Sequence, residues 1–159
     1  MNDYIIVFSF FGIFVLLTMF LSNLNTKVRK LNKRNQKIKE LEQKGYIISK
    51  RWDCNYITVG IDNIKKILFI IVLNKEFSFF KLNIDDIINK KINSFGIIKG
   101  FVTSVYIDIS TKENLTYTIR TLCITRGFGV YKKNKAVTYS KKCAEDICDY
   151  IETLHLKNK

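Results

Sequence analysis

Residues 100–125 read GFVTSVYIDISTKENLTYTIRTLCIT, and the fold class turns on this stretch. Val105, Ile107 and Ile109 alternate with Tyr106 and Asp108, the period of two that a strand with one buried and one wet face requires. Residues 111–114 are turn-formers, and 115–125 returns to β-branched and aromatic side chains, so the stretch predicts an antiparallel hairpin. The same composition extends upstream. Segments 46–51, 56–62, 67–73, 77–81 and 84–92 are rich in Ile, Val, Phe, Tyr and Thr, and Asp62-Asn63, Asn74-Lys75 and residues 94–96 punctuate them. With 100–110 and 115–125 they make about seven strands. Residues 67–73 are apolar throughout, which predicts a central strand covered on both sides.

Downstream the period changes. Cys143, Ala144, Ile147, Cys148, Ile151 and Leu154 fall on one helical face, and Lys141, Lys142, Glu145, Asp149 and Glu152 point away from it. Ser140 is the expected N-cap. The helix is too short to stand alone and must close an open side of the sheet. The expected fold for residues 46–159 is therefore α+β, an antiparallel sheet or partial barrel closed by a C-terminal helix.

Upstream, Gly45 is placed to end a helix, and residues 24–44 contain neither Gly nor Pro. Leu24, Val28, Leu31, Asn35 and Ile38 follow a heptad spacing, with Asn35 at a position that fixes register in two-stranded coils. That seam makes residues 24–41 a candidate homodimer contact, or else a connector helix. Residues 27–44 carry eight Lys/Arg against two Glu. Beyond them, residues 4–21 read YIIVFSFFGIFVLLTMFL without a charge, about 27 Å of helix. The expected anchor residues are Tyr4, Ile5, Ile6, Phe8, Phe11, Phe14, Leu16, Leu17, Phe20 and Leu21. A cleaved signal peptide fits less well, because only Asp3 is charged ahead of the run and no small-residue cleavage pattern follows it. The cationic flank places the C-terminal side in the cytoplasm, with the N-terminus outside the cell membrane. The expected organisation is thus a transmembrane anchor at 1–24, a basic juxtamembrane helix at 25–45, and a β-rich domain at 46–159.

Composition sets the outer bounds. The chain has 159 residues, a net charge of +13, 47% hydrophobic residues and no proline. That excludes wholesale disorder, and four cysteines are too few for a disulfide-stapled scaffold. Cys54, Cys123, Cys143 and Cys148 form no CxxC and are read as free thiols in a reducing compartment.

The stretch 56–70, then Phe79-Phe80-Lys81-Leu82 and Asp85-Asp86-Ile87-Ile88, follows the order strand, turn, strand, and aspartate-isoleucine opening the next strand. With residues 105–110 and the closing helix from Ser140 to Cys148, the pattern resembles small bacterial membrane-anchored proteins with a pleckstrin-homology-like (PH-like) domain. The resemblance covers most of residues 46–157. It implies a binding or scaffolding module and names no ligand. Residues 120–135 lie outside the pattern.

No motif supports catalysis. A nucleophile with its base, a metal site and a phosphate loop are all missing, so no catalytic residue, metal or cofactor is assigned. Residues 125–129 contain a GxG without the rest of a dinucleotide fingerprint and read as a turn or bulge. His155 reads as a cation favoured at a helix end, Asp85-Asp86 as a turn, and Trp52 as buried. Asn114-Leu115-Thr116 is a glycosylation sequon only if the domain faces outward.

The remaining signal is charge. Lys27, Arg29, Lys30, Lys33, Arg34 and Lys37 form one basic group; Arg120, Arg126, Lys132, Lys133 and Lys135 form a second, with no Asp or Glu between 120 and 142 and with Phe128, Tyr131 and Tyr139 interleaved. Such groups suit anionic lipid or an acidic partner. Nucleic acid is disfavoured because residues 27–44 lack stacking aromatics. The expected function is a single-pass interaction module docking on anionic lipid or an acidic protein, without catalysis. Two alternatives stand beside it: a small structural subunit of a larger membrane or secretion complex, and the ectodomain of a surface or viral membrane protein.

Overall fold

The computed structural model describes residues 2–54, 57–72, 78–124 and 127–156, without the side chains of residues 2–13, 23, 27 and 30. The chain divides into two units, Met1–Glu40 and Leu41–Lys159.

The first unit is most of a helix, α1 (Asn2–Gln43). Phe14, Leu16, Leu17, Phe20 and Leu21 are exposed along it, as are Leu24, Val28 and Leu31 of the expected seam. Among the described residues no helix is long and apolar enough to cross a membrane. Residues 4–13 of the expected anchor, Tyr4, Ile5, Ile6, Phe8 and Phe11 among them, lie outside the described side chains. The helix ends where Gly45 takes φ +76°. Gly45 N–H donates to the Glu42 carbonyl and Tyr46 N–H to the Leu41 carbonyl, the paired bonds of a Schellman cap.

The second unit opens with strands β1 (Lys50–Cys54), β2 (Ile57–Asp62), β3 (Ile67–Val72) and β4 (Ser78–Asn83), an antiparallel meander in that order. A single 3₁₀ turn (Ile84–Asp86), capped by the Asn83 side chain, leads into β5 (Ile87–Phe95). Next come β6 (Phe101–Val102), β7 (Ser104–Thr111), β8 (Thr116–Cys123) and β9 (Val130–Tyr131). β5, β7 and β8 form a second antiparallel sheet, while β6 pairs with β9 alone. Helix α2 (Lys135–Leu156) closes the chain.

An antiparallel sheet architecture with a C-terminal helix is therefore present, but it differs from the expectation in three respects. The described strands number nine against about seven expected, and they fall in three separate sheets. The first strand starts at Lys50, not at residue 46, because residues 46–49 cross the outer face of the first sheet. There Ile47 N–H bonds the Asp62 carboxylate at 2.9 Å, and Ile48 packs so near Gly60 that a Cβ there would sit 3.3 Å away. Helix α2 starts before Ser140, because Val137 extends the apolar face and Asn134 accepts the Ala136 N–H at 2.9 Å as the real cap. Ser140 is itself buried.

The core fills the space between the sheets and α2. Val59, Ile61, Leu68 and Ile70 from the first sheet meet Val105, Ile107, Ile109 and Ile119 from the second, with Val137, Ala144, Ile147 and Ile151 from the helix. Trp52 and three of the cysteines are buried among them. Desolvation pushes the Cys148 thiol up to about 11, and a hydrogen bond with Cys143, reinforced by burial, raises that of Cys54. The whole cluster and both main sheets lie inside Leu41–Lys159, so this unit has the core and backbone ladders of an independently folding domain. His155 contacts the Ile84 carbonyl at 2.6 Å through Nε2, which makes that nitrogen the donor.

Candidate docking surface

The outer face of the second sheet follows from its alternation. Val105, Ile107, Ile109 and Thr111 of β7 point inward, leaving Ser104, Tyr106, Asp108 and Ser110 outside. Asp108 is held rigidly: one carboxylate oxygen accepts from Asn93 of β5 at 2.8 Å and the other from Thr118 of β8 at 2.7 Å. A bulge in β8 places Thr121 as an extra residue between the Val105 and Tyr106 pairings. The buried Thr121 hydroxyl donates to the Val105 carbonyl at 3.2 Å, which keeps that carbonyl satisfied. The bulge sets Arg120 opposite Tyr106. Together Phe95, Ser104, Tyr106, Asp108, Thr118 and Arg120 line a groove of about 420 Å³.

At the end of this groove the β6–β9 ladder makes a tip. Phe101 pairs with Tyr131, and their rings meet edge to face at 6.1 Å. Lys132 N–H donates to the Gly100 carbonyl, and Thr103 N–H to that of Phe95. Two glycines permit the closure. A Cβ on Gly96 would lie 1.8 Å from the Phe101 oxygen, and one on Gly129, at φ +95°, would lie 2.6 Å from the Val102 oxygen. The backbone thus packs closely within the tip; Val102 and Val130 turn toward the core, and the other large side chains are left outside. Phe95, Ile97, Ile98, Phe101, Phe128 and Tyr131 are all exposed, Ile97 and Phe128 by 69% each.

The basic residues expected to act together divide between the two units. Arg120 lies in the groove, Lys132 and Lys133 form the turn after β9, and Lys135 opens α2; all four are exposed. Lys99, also exposed, joins them from the turn before β6. Arg126 lies outside the described residues. On α1, Arg29 and Lys33 are exposed and Arg34 and Lys37 half-buried, with Lys37 paired to Glu40 at 2.8 Å; nothing is described of the Lys27 and Lys30 side chains. Among the described residues no three His, Cys, Asp or Glu side chains converge as a metal site would need.

The residues missed from sequence are Ile97, Ile98 and Phe101. The available signal was an apolar pair set between Gly96 and Gly100, where a turn ordinarily carries polar side chains. Of residues 125–129, expected to be a turn or bulge, 127 and 128 form a bend and 125–126 lie outside the described residues; the role of the bend becomes visible only once β6 is seen to pair with β9. Compared with family profiles, with curated proteins and with solved structures, the chain matches none.

Proposed function

We propose that the chain is a single-pass membrane-anchored interaction module whose PH-like domain, on the cytoplasmic side, docks on anionic lipid without catalysis. The observation that carries this is the second basic group, with Lys132, Lys133 and Lys135 exposed and no acidic residue between 120 and 142. Each basic residue near an anionic surface contributes about 1 kcal/mol of attraction. The four-stranded and three-stranded sheets with a closing helix support the PH-like reading, and the uncharged run at 4–21 supports the anchor.

Cosedimentation of Leu41–Lys159 with phosphatidylserine vesicles tests the docking. Binding that disappears in high salt is the expected result; failure of a longer piece starting at Lys27 to bind at all rejects it. For the anchor, the full chain should pellet with membranes in a lysate spun without detergent, and recovery in the supernatant overturns that part. Labelling of thiols in intact against opened cells decides the orientation.

A second reading, a subunit of a larger assembly or a homodimer through residues 24–41, draws on the exposure of Leu24, Val28 and Leu31. A monomer after detergent extraction counts against it.

A further inference from the structure

Charge alone leaves the tip unexplained. Soluble domains seldom leave a contiguous apolar patch of this kind uncovered without a use for it. Here six large apolar side chains come from three short segments, 95–98, 101 and 128–131, which the β6–β9 ladder and two backbone-packed glycines lock together. The lock matters, because side chains held on a closed backbone cannot retreat into the domain. The segments bring their own cations, Lys99 from one side and Lys132 and Lys133 from the other. Aromatic and branched aliphatic side chains ringed by lysine match the layered chemistry of a bilayer surface, where apolar groups reach the acyl boundary and cations meet phosphate. A protruding protein segment would be met by the groove, whose polar floor of Asp108, Thr118 and Arg120 differs in character from the tip.

We infer that the tip inserts Ile97, Ile98, Phe101 and Phe128 into the interfacial layer of an anionic phospholipid bilayer, with Lys99, Lys132 and Lys133 on the lipid phosphates. This rests on the docking proposed above, in which the lysines supply the salt-sensitive attraction that brings the domain to the surface, and adds to it an apolar contact. The four inserted residues are surface residues of the second unit, so polar replacements there leave the core cluster intact.

The test uses Leu41–Lys159 and vesicles of phosphatidylcholine with or without phosphatidylserine. Phe128→Trp provides a fluorescent reporter, read against the unsubstituted protein in which Trp52 is buried. The expected results are a blue-shifted emission quenched by brominated acyl chains, and a loss of partitioning of about tenfold for Phe128→Ser. Ile97→Ser with Ile98→Ser should act in the same direction, with the thermal midpoint of each variant showing that it is folded. Salt-reversible binding with no quenching, and with the serine variants binding as the parent does, overturns insertion while docking stands. No binding to either vesicle by this unit or by the piece starting at Lys27 overturns both.

Discussion

The two main sheets treat their outer faces in opposite ways. On the first, β2 is buried along its whole length and Phe69 and Ile71 of β3 are hidden on the side away from the core. Tyr46 sits edge to face on Phe69 at 5.1 Å, and Phe79 stacks on it from the next strand at 6.1 Å. The Tyr46 ring is in turn flanked by the ammonium groups of Lys65 at 4.3 Å and Lys81 at 5.3 Å, and the Lys81 hydrogen bond lowers the pKa of its phenol. On the second sheet Thr118 and Arg120 are exposed and Tyr106 and Asp108 half-buried, and all four line the groove. One face is thus used for stability and the other is left open.

The comparison is tested most severely at Phe69. Phe69→Ala should cost about 3–5 kcal/mol in denaturant unfolding, because a fully buried ring leaves a cavity. A much smaller loss would mean that the first outer face is no second core.

Next comes Asp62, which ties the covering segment down. Its carboxylate accepts the N–H groups of Ile47, Ile64 and Lys65, each at 2.9 Å. Burial alone would raise its pKa, but the three donors and the Lys65 charge outweigh burial and lower it. Asp62→Asn should cost about 1–3 kcal/mol at neutral pH. Since the unfolded chain takes up this proton first on acidification, the contribution is present above about pH 4 and is lost as pH falls through the folded value. The gap between parent and variant should therefore close in acid; a gap independent of pH would assign the loss to packing.

On the open sheet the effects should be small. Tyr106→Ala is expected to cost under about 1 kcal/mol, and Asp108→Asn about 0.5 kcal/mol or less, since water reaches both sites. A cost for Tyr106 matching that of Phe69 would erase the distinction between the faces.

Those contrasts also explain how far the sequence could be read. The alternation of Val105, Ile107 and Ile109 was legible because its face is wet on one side, and the all-apolar run of β3 because it is covered on both. Residues 46–49 have strand composition but lie across a sheet instead of pairing within one, a difference that periodicity does not register. Ser140 looks like a helix cap, yet Asn134 serves, because the helix is extended to bring Val137 into the core. Strands of two residues, such as β6 and β9, carry no period at all. The Arg120 and Lys132–Lys135 charges were visible as a run without acids, whereas the apolar half of the tip comes from a turn some thirty residues earlier in the chain, and only backbone pairing brings the two together.

The segment joining Gly45 to β1 also has a mechanical consequence. A pull applied upstream of Tyr46 loads the Ile47–Asp62 bond first, then the Ser49 N–H bond to the Ile61 carbonyl at 2.8 Å, before it reaches the β1–β2 ladder. Tension would peel this strap away from Phe69 while the remainder of the domain stayed closed, so the strap works as a fuse between α1 and the sheet.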